Sequence, residues 1–320
     1  MDRSLPVPPC SMEFSVVVAC TNAGPSILEC LRRLENACAG IDAELIVVDA
    51  STDDTAARVT AMGGSVRLIC LAPGTLTPVL WAEGYRGATG RVVAFTTGHC
   101  LVSPRWAAAL RTAIDGGAAG AGGPLVLAPS ARLLDVAVYY LRYSAFMPHT
   151  LGNGRIDGEI AGDNAAYPRE WLDRYADSLA DGFWEVDFHR LVRAGGGWLA
   201  AVPEAVVEFG RSFPAATIMR QRFAHGTQFG AGRVRGGSRT VSQIVFAAPL
   251  VPFVFAMRAA RRVAASHRDT MRLIAALPWF IVLAACWAAG EAWGALRGTA
   301  SHGASDHGAP VRASHTAGVK

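Results

Sequence analysis

The fold of this chain is decided by two apolar segments, Phe14-Ser-Val-Val-Val-Ala-Cys20 and Glu44-Leu-Ile-Val-Val-Asp-Ala-Ser-Thr-Asp-Asp-Thr55. Each contains an uninterrupted apolar run, which is typical of a strand buried on both faces of a parallel sheet. The residues between the two runs are numerous enough for a crossover helix. The second run ends at Asp49, and open α/β sheets bind ligands at the carboxyl ends of their strands. The sequence therefore predicts a ligand-binding carboxylate at this edge.

The same alternation of strand and helix patterns continues to residue 127. It predicts an α/β fold with a doubly wound, mostly parallel sheet. The predicted strands are 14–20, 44–49, 66–70, 91–96 and 123–127, and the predicted helices are 25–38, 53–61, 78–88 and 104–114. A less regular region follows, with helices predicted at 133–146, 168–175 and 182–194 and a strand at 202–209. No glycine-rich phosphate loop follows the first strand, so we expect side-chain carboxylates to bind the ligand.

Composition points to a membrane contact in the last third of the chain. Of the 320 residues 51% are hydrophobic, and the mean hydropathy is +0.26. Thr240–Met257 and Leu273–Gly290 contain no charged residue, and each is close to the lower limit of about 17–25 residues for a membrane span. We predict a membrane-associated apolar helical hairpin at 240–296. Whether it spans the membrane or lies in the interface stays open.

Arginines flank these apolar segments. They concentrate between Arg220 and Arg272, which suits lipid headgroups or an anionic ligand. The net charge of +4 is mild and does not suggest a nucleic acid partner. Between the two apolar segments lies a basic linker that contains Arg258, Arg261, Arg262, Arg268 and Arg272. These arginines and the five between Arg220 and Arg239 favour opposite orientations under the positive-inside tendency, so charge does not decide the orientation. A buried helical hairpin in a soluble protein is the alternative.

The termini and the cysteines add three expectations. Residues 1–12 carry no apolar core of a signal peptide, and we expect them to be disordered, like the Gly-, Ala-, Ser- and His-rich tail 297–320. The seven cysteines show neither a Cys-x-x-Cys motif nor a Cys/His zinc spacing. Reduced thiols in a cytoplasmic catalytic domain are the plain interpretation.

Four segments carry a resemblance to a known family. Val47-Val-Asp-Ala-Ser-Thr-Asp-Asp-Thr55 resembles the nucleotide-binding signature of family 2 glycosyltransferases, which have a GT-A-type fold with a Rossmann-like nucleotide-binding half. The segments that follow in the family's order are Gly90–His99 (the strand leading to its Asp-x-Asp metal motif), Gly162–Tyr167 (its acceptor-side turn) and Trp184–Leu191 (the segment of its catalytic base). The resemblance covers roughly residues 13–230, and we place the catalytic domain at 13–235.

The resemblance implies a role for the residues at the ends of the first two strands. Asp49 is expected to bind the nucleotide base or ribose, because a carboxylate accepts hydrogen bonds from base N–H groups and hydroxyls. Thr21 and Asn22 are either ribose neighbours or turn-forming residues. Asp53 and Asp54 are expected to cap the following helix rather than to bind the ligand.

At the position of the Asp-x-Asp motif the chain reads Thr97-Gly98-His99. Two carboxylates normally hold a cation that neutralises the departing diphosphate. An imidazole favours Mn, Co, Ni or Zn over Mg. His99 is therefore expected at the donor site, either as a ligand of a Mn-like ion or in a metal-independent enzyme that uses basic side chains such as Arg220 and Arg222. An ordinary loop histidine is the third interpretation.

The resemblance makes Glu185 the catalytic base, which would take the proton of the acceptor hydroxyl. Asp163 is the second catalytic candidate, and it would hydrogen-bond a sugar or acceptor hydroxyl. Asn164, Asp187 and Arg222 are candidates for diphosphate or acceptor contacts. For Asp187 a stabilising role in the first turn of its helix is the alternative. For Asn164 a helix cap is equally expected.

Together the residues predict an inverting glycosyltransferase. It would move a sugar from a UDP, GDP or dTDP donor to a hydroxyl acceptor, lipid-linked or part of a glycan at the membrane surface. The alternative from another class is a membrane protein that binds nucleotide sugars but has lost catalysis, which the missing Asp-x-Asp favours. A nucleotidyltransferase would need a glycine- and lysine-rich loop after the first strand, and Thr21–Pro25 is not one.

Overall fold

The computed structural model describes residues 12–64, 66–210 and 214–303. The predicted disorder of residues 1–11 and 304–320 lies outside the described residues. The last helix continues to Gly303, past residue 297, where the sequence predicted the tail to begin. Met12 belongs to the first strand.

Eleven strands form two sheets within the described residues. The larger sheet contains β1 (Met12–Cys20), β2 (Ala43–Asp49), β3 (Val66–Cys70), β4 (Gly90–Thr97), β6 (Gly120–Gly122), β8 (Gly154–Ile156), β9 (Ala165–Pro168) and β10 (Leu199–Ala201). The smaller sheet contains β5 (Cys100–Val102), β7 (Leu125–Leu127) and β11 (Val207–Phe209).

Eleven α-helices connect and flank these strands in the described residues. They are α1 (Gly24–Ala37), α2 (Thr55–Met62), α3 (Thr77–Gly87), α4 (Trp106–Asp115), α5 (Leu133–Tyr143), α6 (Arg169–Arg174), α7 (Glu185–Ala194), α8 (Ala215–Arg235), α9 (Val241–Ala247), α10 (Val251–Val263) and α11 (His267–Gly303). Short 3₁₀ turns occur at Gly162–Asn164, Ala176–Leu179 and Ala248–Leu250. The first four predicted strands and the first four predicted helices agree with these bounds to within two residues.

The order of the larger sheet is β3-β2-β1-β4-β9-β6-β10-β8. Strands β1 to β4 are parallel, β9 runs antiparallel to both β4 and β6, and β8 is antiparallel to β10. The prediction of a mostly parallel α/β sheet is confirmed. Cys20 pairs with Asp49, and Ala19 pairs with Thr97. The carboxyl ends of β2, β1 and β4 therefore lie side by side at one edge of the sheet.

The core explains why these apolar runs form buried strands. Val16, Val17 and Val18 of β1 are fully buried, as expected for a strand covered on both faces. Helix α3 packs closely on this strand: a Cβ added to Gly84 would stand 2.2 Å from a methyl group of Val17. Burial of such side chains contributes roughly 1.5–3 kcal/mol each.

Two predicted strands are shorter in the structure than the sequence predicted. The strand predicted at 123–127 is β7, which begins at Leu125, and the separate strand β6 of the larger sheet precedes it at Gly120–Gly122. Pro124 separates them, because proline cannot donate a hydrogen bond to a ladder. The strand predicted at 202–209 is likewise only β11, while β10 ends at Ala201. Gly123 is required at the division, since its Cβ would stand 1.8 Å from the carbonyl oxygen of Ala205.

The chain divides into two compact units. The first comprises residues up to Phe213 together with Ala259–Ala276, and it contains both sheets. The second comprises Pro214–Arg258 and the residues from Leu277 onward. The catalytic domain predicted at 13–235 therefore corresponds mainly to the first unit, while α8 belongs to the second.

In the second unit, glycines bring α8 and the later part of α11 into backbone contact. A Cβ on Gly226 or Gly230 would stand 2.1 or 2.0 Å from a carbonyl oxygen of α11. A Cβ on Gly290 or Gly294 would stand 2.1 or 1.9 Å from one of α8. Spacing by four residues is the small-residue pattern that permits such an approach. The buried carboxylate of Glu291 also pairs with Arg233 on α8 at 2.5 Å.

Two helical stretches are long and apolar enough to cross a membrane, by length and composition only. They are Val241–Val263, with a mean hydropathy of 1.6, and His267–Gly298, with 2.0. Large apolar side chains are exposed along them, and Phe246 is 82% exposed. Most of the predicted basic linker is helical, because α10 extends to Val263 and α11 begins at His267.

Candidate active site

Asp49 ends β2 at the carboxyl edge of the sheet, and its side chain is buried. The hydroxyl of Ser51 donates a hydrogen bond to its Oδ1. Burial raises the pKa of Asp49, and the hydrogen bonds from Ser51 oppose that increase. Ser51 also accepts the backbone N–H of Asn22 at 2.7 Å, which ties the loop after β1 to the loop after β2.

The residues next to Asp49 stabilise these loops. Asn22 has a positive φ of 51°, and its side chain accepts the backbone N–H of Thr52 at 2.8 Å. Asp53 accepts the N–H groups of Gly24 and Thr55, both at 3.1 Å, at the starts of α1 and α2. These contacts make Asn22 a turn residue and Asp53 a helix-capping residue. Asp54 stands at the N-cap position of α2 without a side-chain capping bond.

Thr21, predicted at the donor site, directly follows β1 and is half-buried. It therefore lies one residue beyond Cys20, which pairs with Asp49 across the two strands. Its position at the carboxyl edge is the one that the sequence predicted.

The segment Thr97-Gly98-His99 lies where β4 ends, two strands from Asp49. The hydroxyl oxygen of Thr97 is 3.3 Å from Nε2 of His99 and 3.1 Å from the sulfur of Cys100. Gly98 is required at this turn, since its Cβ would stand 2.6 Å from the sulfur of Cys20. The half-buried His99 ring meets Phe209 edge-on, with 5.6 Å between ring centroids.

Asp163 lies beside this segment. The 3₁₀ turn Gly162–Asn164 buries its side chain, and Oδ1 is 3.3 Å from the hydroxyl oxygen of Thr97. Its other oxygen, Oδ2, accepts the Tyr143 hydroxyl at 2.9 Å and a guanidinium N–H of Arg142 at 3.1 Å. Two residues of α5 therefore hold Asp163 against the end of β4.

Glu185 is the first residue of α7 and stands near the same turn. Its carboxyl carbon is 3.5 Å from the place that a Cβ of Gly162 would occupy. The ring of Trp81 lies on the same side of Gly162, at 2.8 Å from that place. Although part of Glu185 reaches solvent, burial raises its pKa to about 7, and Asp163 adds to the increase while Arg142 opposes it. The two predicted catalytic carboxylates therefore share one electrostatic environment.

Other predicted site residues have different surroundings. Asn164 is fully buried; it accepts the indole N–H of Trp106 at 2.7 Å and donates to the carbonyl oxygens of Pro124 and Ala205. These hydrogen bonds give Asn164 a structural role. The sequence had predicted either a diphosphate or acceptor contact or a helix cap, and these bonds belong to neither. The side chain of Asp187 is 72% exposed and pairs with Arg190 in a surface ion pair.

Arg222 lies on α8 in the second unit and is half-buried. Its prediction as a diphosphate or acceptor contact stays a prediction. His189, on α7, is fully buried between Glu159 and the Tyr167 hydroxyl, which is 2.7 Å from Nε2. Its two ring nitrogens are thus engaged within the core.

Arg142 and Tyr143 are site residues that sequence reasoning missed. The helical pattern at 133–146 was recognised, but nothing in its spacing connects it to a turn twenty residues later. The available signal was the single arginine among the aromatic residues that end this helix, since an arginine in such surroundings is usually paired.

Three groups lie close enough together to be tested as a metal site. Ligand atoms of His99, Cys100 and Asp163 all lie within 4.8 Å of one another. Their chemistry does not fit the cation that the family's Asp-x-Asp motif holds. Burial raises the pKa of the Cys100 thiol, which favours the protonated form, whereas metals bind the thiolate. Asp163 is already engaged by Tyr143 and by the cationic Arg142.

The comparison with protein families gives a clear result. The family model described as glycosyl transferase family 2 matches residues 15–176, just over half of the chain. Together with the mostly parallel sheet, this match defines the class of α/β enzyme. The chain belongs to glycosyl transferase family 2. The GT-A-type fold and the glycosyltransferase class expected from the sequence are confirmed.

Solved structures with similar folds share little sequence with this chain. One is TarS of S. aureus, at 15% identity and a TM-score of 0.42; the match covers 66% of this chain and 38% of TarS. Another is the mannosyltransferase PcManGT from Pyrobaculum calidifontis in complex with GDP-Man and Mn2+, at 20% and 0.46, covering 88% and 87%. A mycobacterial protein matches at 20% and 0.45, covering 69% and 74%. A search of curated proteins gives no match.

Proposed function

We propose that this protein is an inverting glycosyltransferase that moves a sugar from a nucleoside diphosphate to a hydroxyl acceptor. The observation that carries the proposal is the position of Glu185. Its carboxyl group lies against the Gly162–Asn164 turn, and that turn contacts the end of β4 through Asp163. The proposed general base thus lies near the edge where Asp49 would bind the nucleotide.

The donor would lie along the carboxyl edge of the sheet. Asp49 accepts hydrogen bonds from the base or the ribose, with Thr21 beside it. His99 and Thr97 lie two strands away, at roughly 10 Å for a strand spacing of about 4.8 Å. That separation suits a nucleoside at one end and its diphosphate at the other. His99 then contacts the diphosphate as a hydrogen-bonding group.

Glu185 acts as the general base. A base works best when its pKa is near the working pH, and a pKa of about 7 meets that condition. The ionised carboxylate takes the proton from the acceptor hydroxyl as the oxygen attacks the anomeric carbon. Asp163 would orient Arg142 and Tyr143 beside the reacting sugar, and its negative charge contributes to the raised pKa of Glu185.

The acceptor is proposed to be lipid-linked or part of a glycan at a membrane surface. Two apolar helical stretches and the arginines at their ends support membrane association. Because nucleotide sugars are cytosolic substrates, the catalytic unit is proposed to face the cytoplasm. The donor is a UDP, GDP or dTDP sugar.

The test is a panel of UDP-, GDP- and dTDP-sugars incubated with the protein in lipid vesicles and with a polyprenyl phosphate or glycan acceptor. Release of nucleoside diphosphate that requires both donor and acceptor supports the proposal, and NMR of the product reads the anomeric inversion. If no nucleotide or nucleotide sugar raises the melting temperature, the proposed function is wrong.

A further inference from the structure

A guanidinium is connected by contacts to the position that the family's metal motif would occupy. We propose that Arg142 supplies the positive charge that stabilises the departing nucleoside diphosphate, in place of a divalent cation. This inference rests on the proposed glycosyl transfer and deepens it, because it names the group that would meet the leaving group.

The connection consists of two contacts. Thr97, at the first position of the replaced motif, is 3.3 Å from Oδ1 of Asp163, and Arg142 donates to Oδ2 of the same carboxylate at 3.1 Å. Asp163 therefore bridges the motif position and the guanidinium. Arg142 is 30% exposed, so part of its side chain faces accessible space.

The orientation of Arg142 is fixed by a second interaction. Its guanidinium carbon lies 4.9 Å from the ring centroid of Tyr143, and the hydroxyl of Tyr143 donates to the same Asp163 oxygen. A planar guanidinium has five N–H donors in a fork that matches phosphate oxygens. With one donor held by Asp163, others remain available to bind two oxygens of a diphosphate.

The same geometry argues against a cation between the side chains of His99, Cys100 and Asp163. Asp163 is the only carboxylate of that group, and both of its oxygens are engaged, one of them by a positive charge. A divalent ion would have to displace Arg142 or lie beside it, and like charges repel at this range. Arg142 and a divalent cation would therefore neutralise the same negative charge of the diphosphate, and the two exclude each other at this position.

The reaction balances with this assignment. The bond from the anomeric carbon to the phosphate oxygen breaks, and its electron pair stays on that oxygen. The acceptor oxygen forms the new bond to the anomeric carbon, and its proton goes to Glu185. The leaving nucleoside diphosphate gains negative charge as the bond breaks, and Arg142 stabilises that charge through charge-assisted hydrogen bonds.

The first experiment measures binding by calorimetry, with nucleoside diphosphate and nucleoside monophosphate compared in EDTA. Arg142→Met is expected to weaken binding of the diphosphate roughly 10- to 100-fold and to leave the monophosphate unchanged. A variant that merely disturbed the fold would weaken both. Arg174→Met is the matched control, because Arg174 is exposed and lies over the Trp171 ring on α6.

The second experiment measures turnover. Wild-type activity is expected to survive EDTA and to gain nothing from Mn, while Arg142→Met lowers kcat by roughly 100-fold or more. Arg142→Lys, which keeps the charge but not the fork, is expected to lie between the two. If Arg142→Met does not fold, Arg142→Lys and the EDTA measurement on the wild type decide the question.

Two results would overturn the proposal. One is equal affinity of wild type and Arg142→Met for the diphosphate; the other is complete loss of wild-type turnover in EDTA with recovery in Mn. Failure of the wild type to bind any nucleoside diphosphate is a different outcome, since it removes the proposed function itself.

Discussion

The carboxyl carbon of Glu185 lies 3.5 Å from the place where a Cβ on Gly162 would stand. A Cβ there would be in ordinary van der Waals contact with Glu185, but it would stand only 2.8 Å from the Trp81 ring on the same side of the turn. Trp81 is therefore the neighbour that requires a glycine at position 162, next to the turn that carries Asp163.

Gly162→Ala is expected to lower both stability and turnover. Its methyl group would overlap the Trp81 ring, and overpacking of this kind costs about 1–3 kcal/mol in free energy of unfolding. The Trp81 ring, which lies beside Glu185 at this turn, would have to move, and that movement is expected to add a loss of kcat. Chemical denaturation and steady-state kinetics measure the two effects. Gly158→Ala is the control, because no atom lies within 4 Å of its Cβ position; equal behaviour of the two variants would contradict the prediction.

The activity is expected to rise with pH and to level off above neutrality. Glu185 must be ionised to accept a proton, and its pKa is raised to about 7. A plot of kcat/KM against pH should therefore show an ascending limb with a midpoint near 7. Glu185→Gln should abolish turnover and keep nucleotide binding. Turnover that survives in this variant would show that another group is the base and would leave Glu185 without a catalytic role.

The same group should reduce stability at alkaline pH. The folded-state pKa of Glu185 is raised from 4.5 to about 7, so the folded protein binds more protons than the unfolded chain between these values. The free energy of unfolding contributed by Glu185 therefore falls as pH rises through this window. Glu185→Gln should melt at a higher temperature than wild type at pH 8, with the difference shrinking toward pH 4. Glu170→Gln, an exposed acid in the first turn of α6, is the control, and a similar gain there would contradict the assignment.

Loss of Asp49 should remove nucleotide binding. Asp49→Ala takes away the buried acceptor at the end of β2, and the increase in melting temperature that UDP, GDP or dTDP gives the wild type should disappear. Thermal shift measurements with each nucleotide test this. Asp54→Ala is the matched control in the same loop, since Asp54 is exposed and pairs with Arg58. An undiminished shift in Asp49→Ala would place the nucleotide elsewhere.

The parallel sheet could be predicted because its strands are local signals. Continuous apolar runs such as Val16–Val18 mark buried strands without reference to the rest of the chain, and Asp49 stands directly after such a run. Its position at the carboxyl edge followed from that pattern. The small sheet was harder to predict, because its strands β5, β7 and β11 have only three residues each and pair with partners far away in the sequence.

The contacts of the site could not be predicted, because they join residues far apart in sequence. Arg142 and Asp163 meet because α5 and the Gly162–Asn164 turn pack together, although the two residues are 21 positions apart in the sequence. In the sequence, Asn164 and Asp163 are both polar residues of one turn, but in the structure their side chains have different surroundings. One is saturated by Trp106 and two carbonyl oxygens, while the other faces the cluster with Arg142 and Tyr143.

The backbone contact between α8 and α11 has a consequence for how the second unit behaves outside water. Dispersion between closely touching main chains does not depend on expelling solvent, so it has similar strength in buffer, detergent or hydrocarbon. Helices α8 and α11, which approach each other closely at Gly226 and at Gly294, therefore keep the same packing when the surrounding medium changes. Such an interface suits a helical unit whose packing must be the same in water and in an apolar medium.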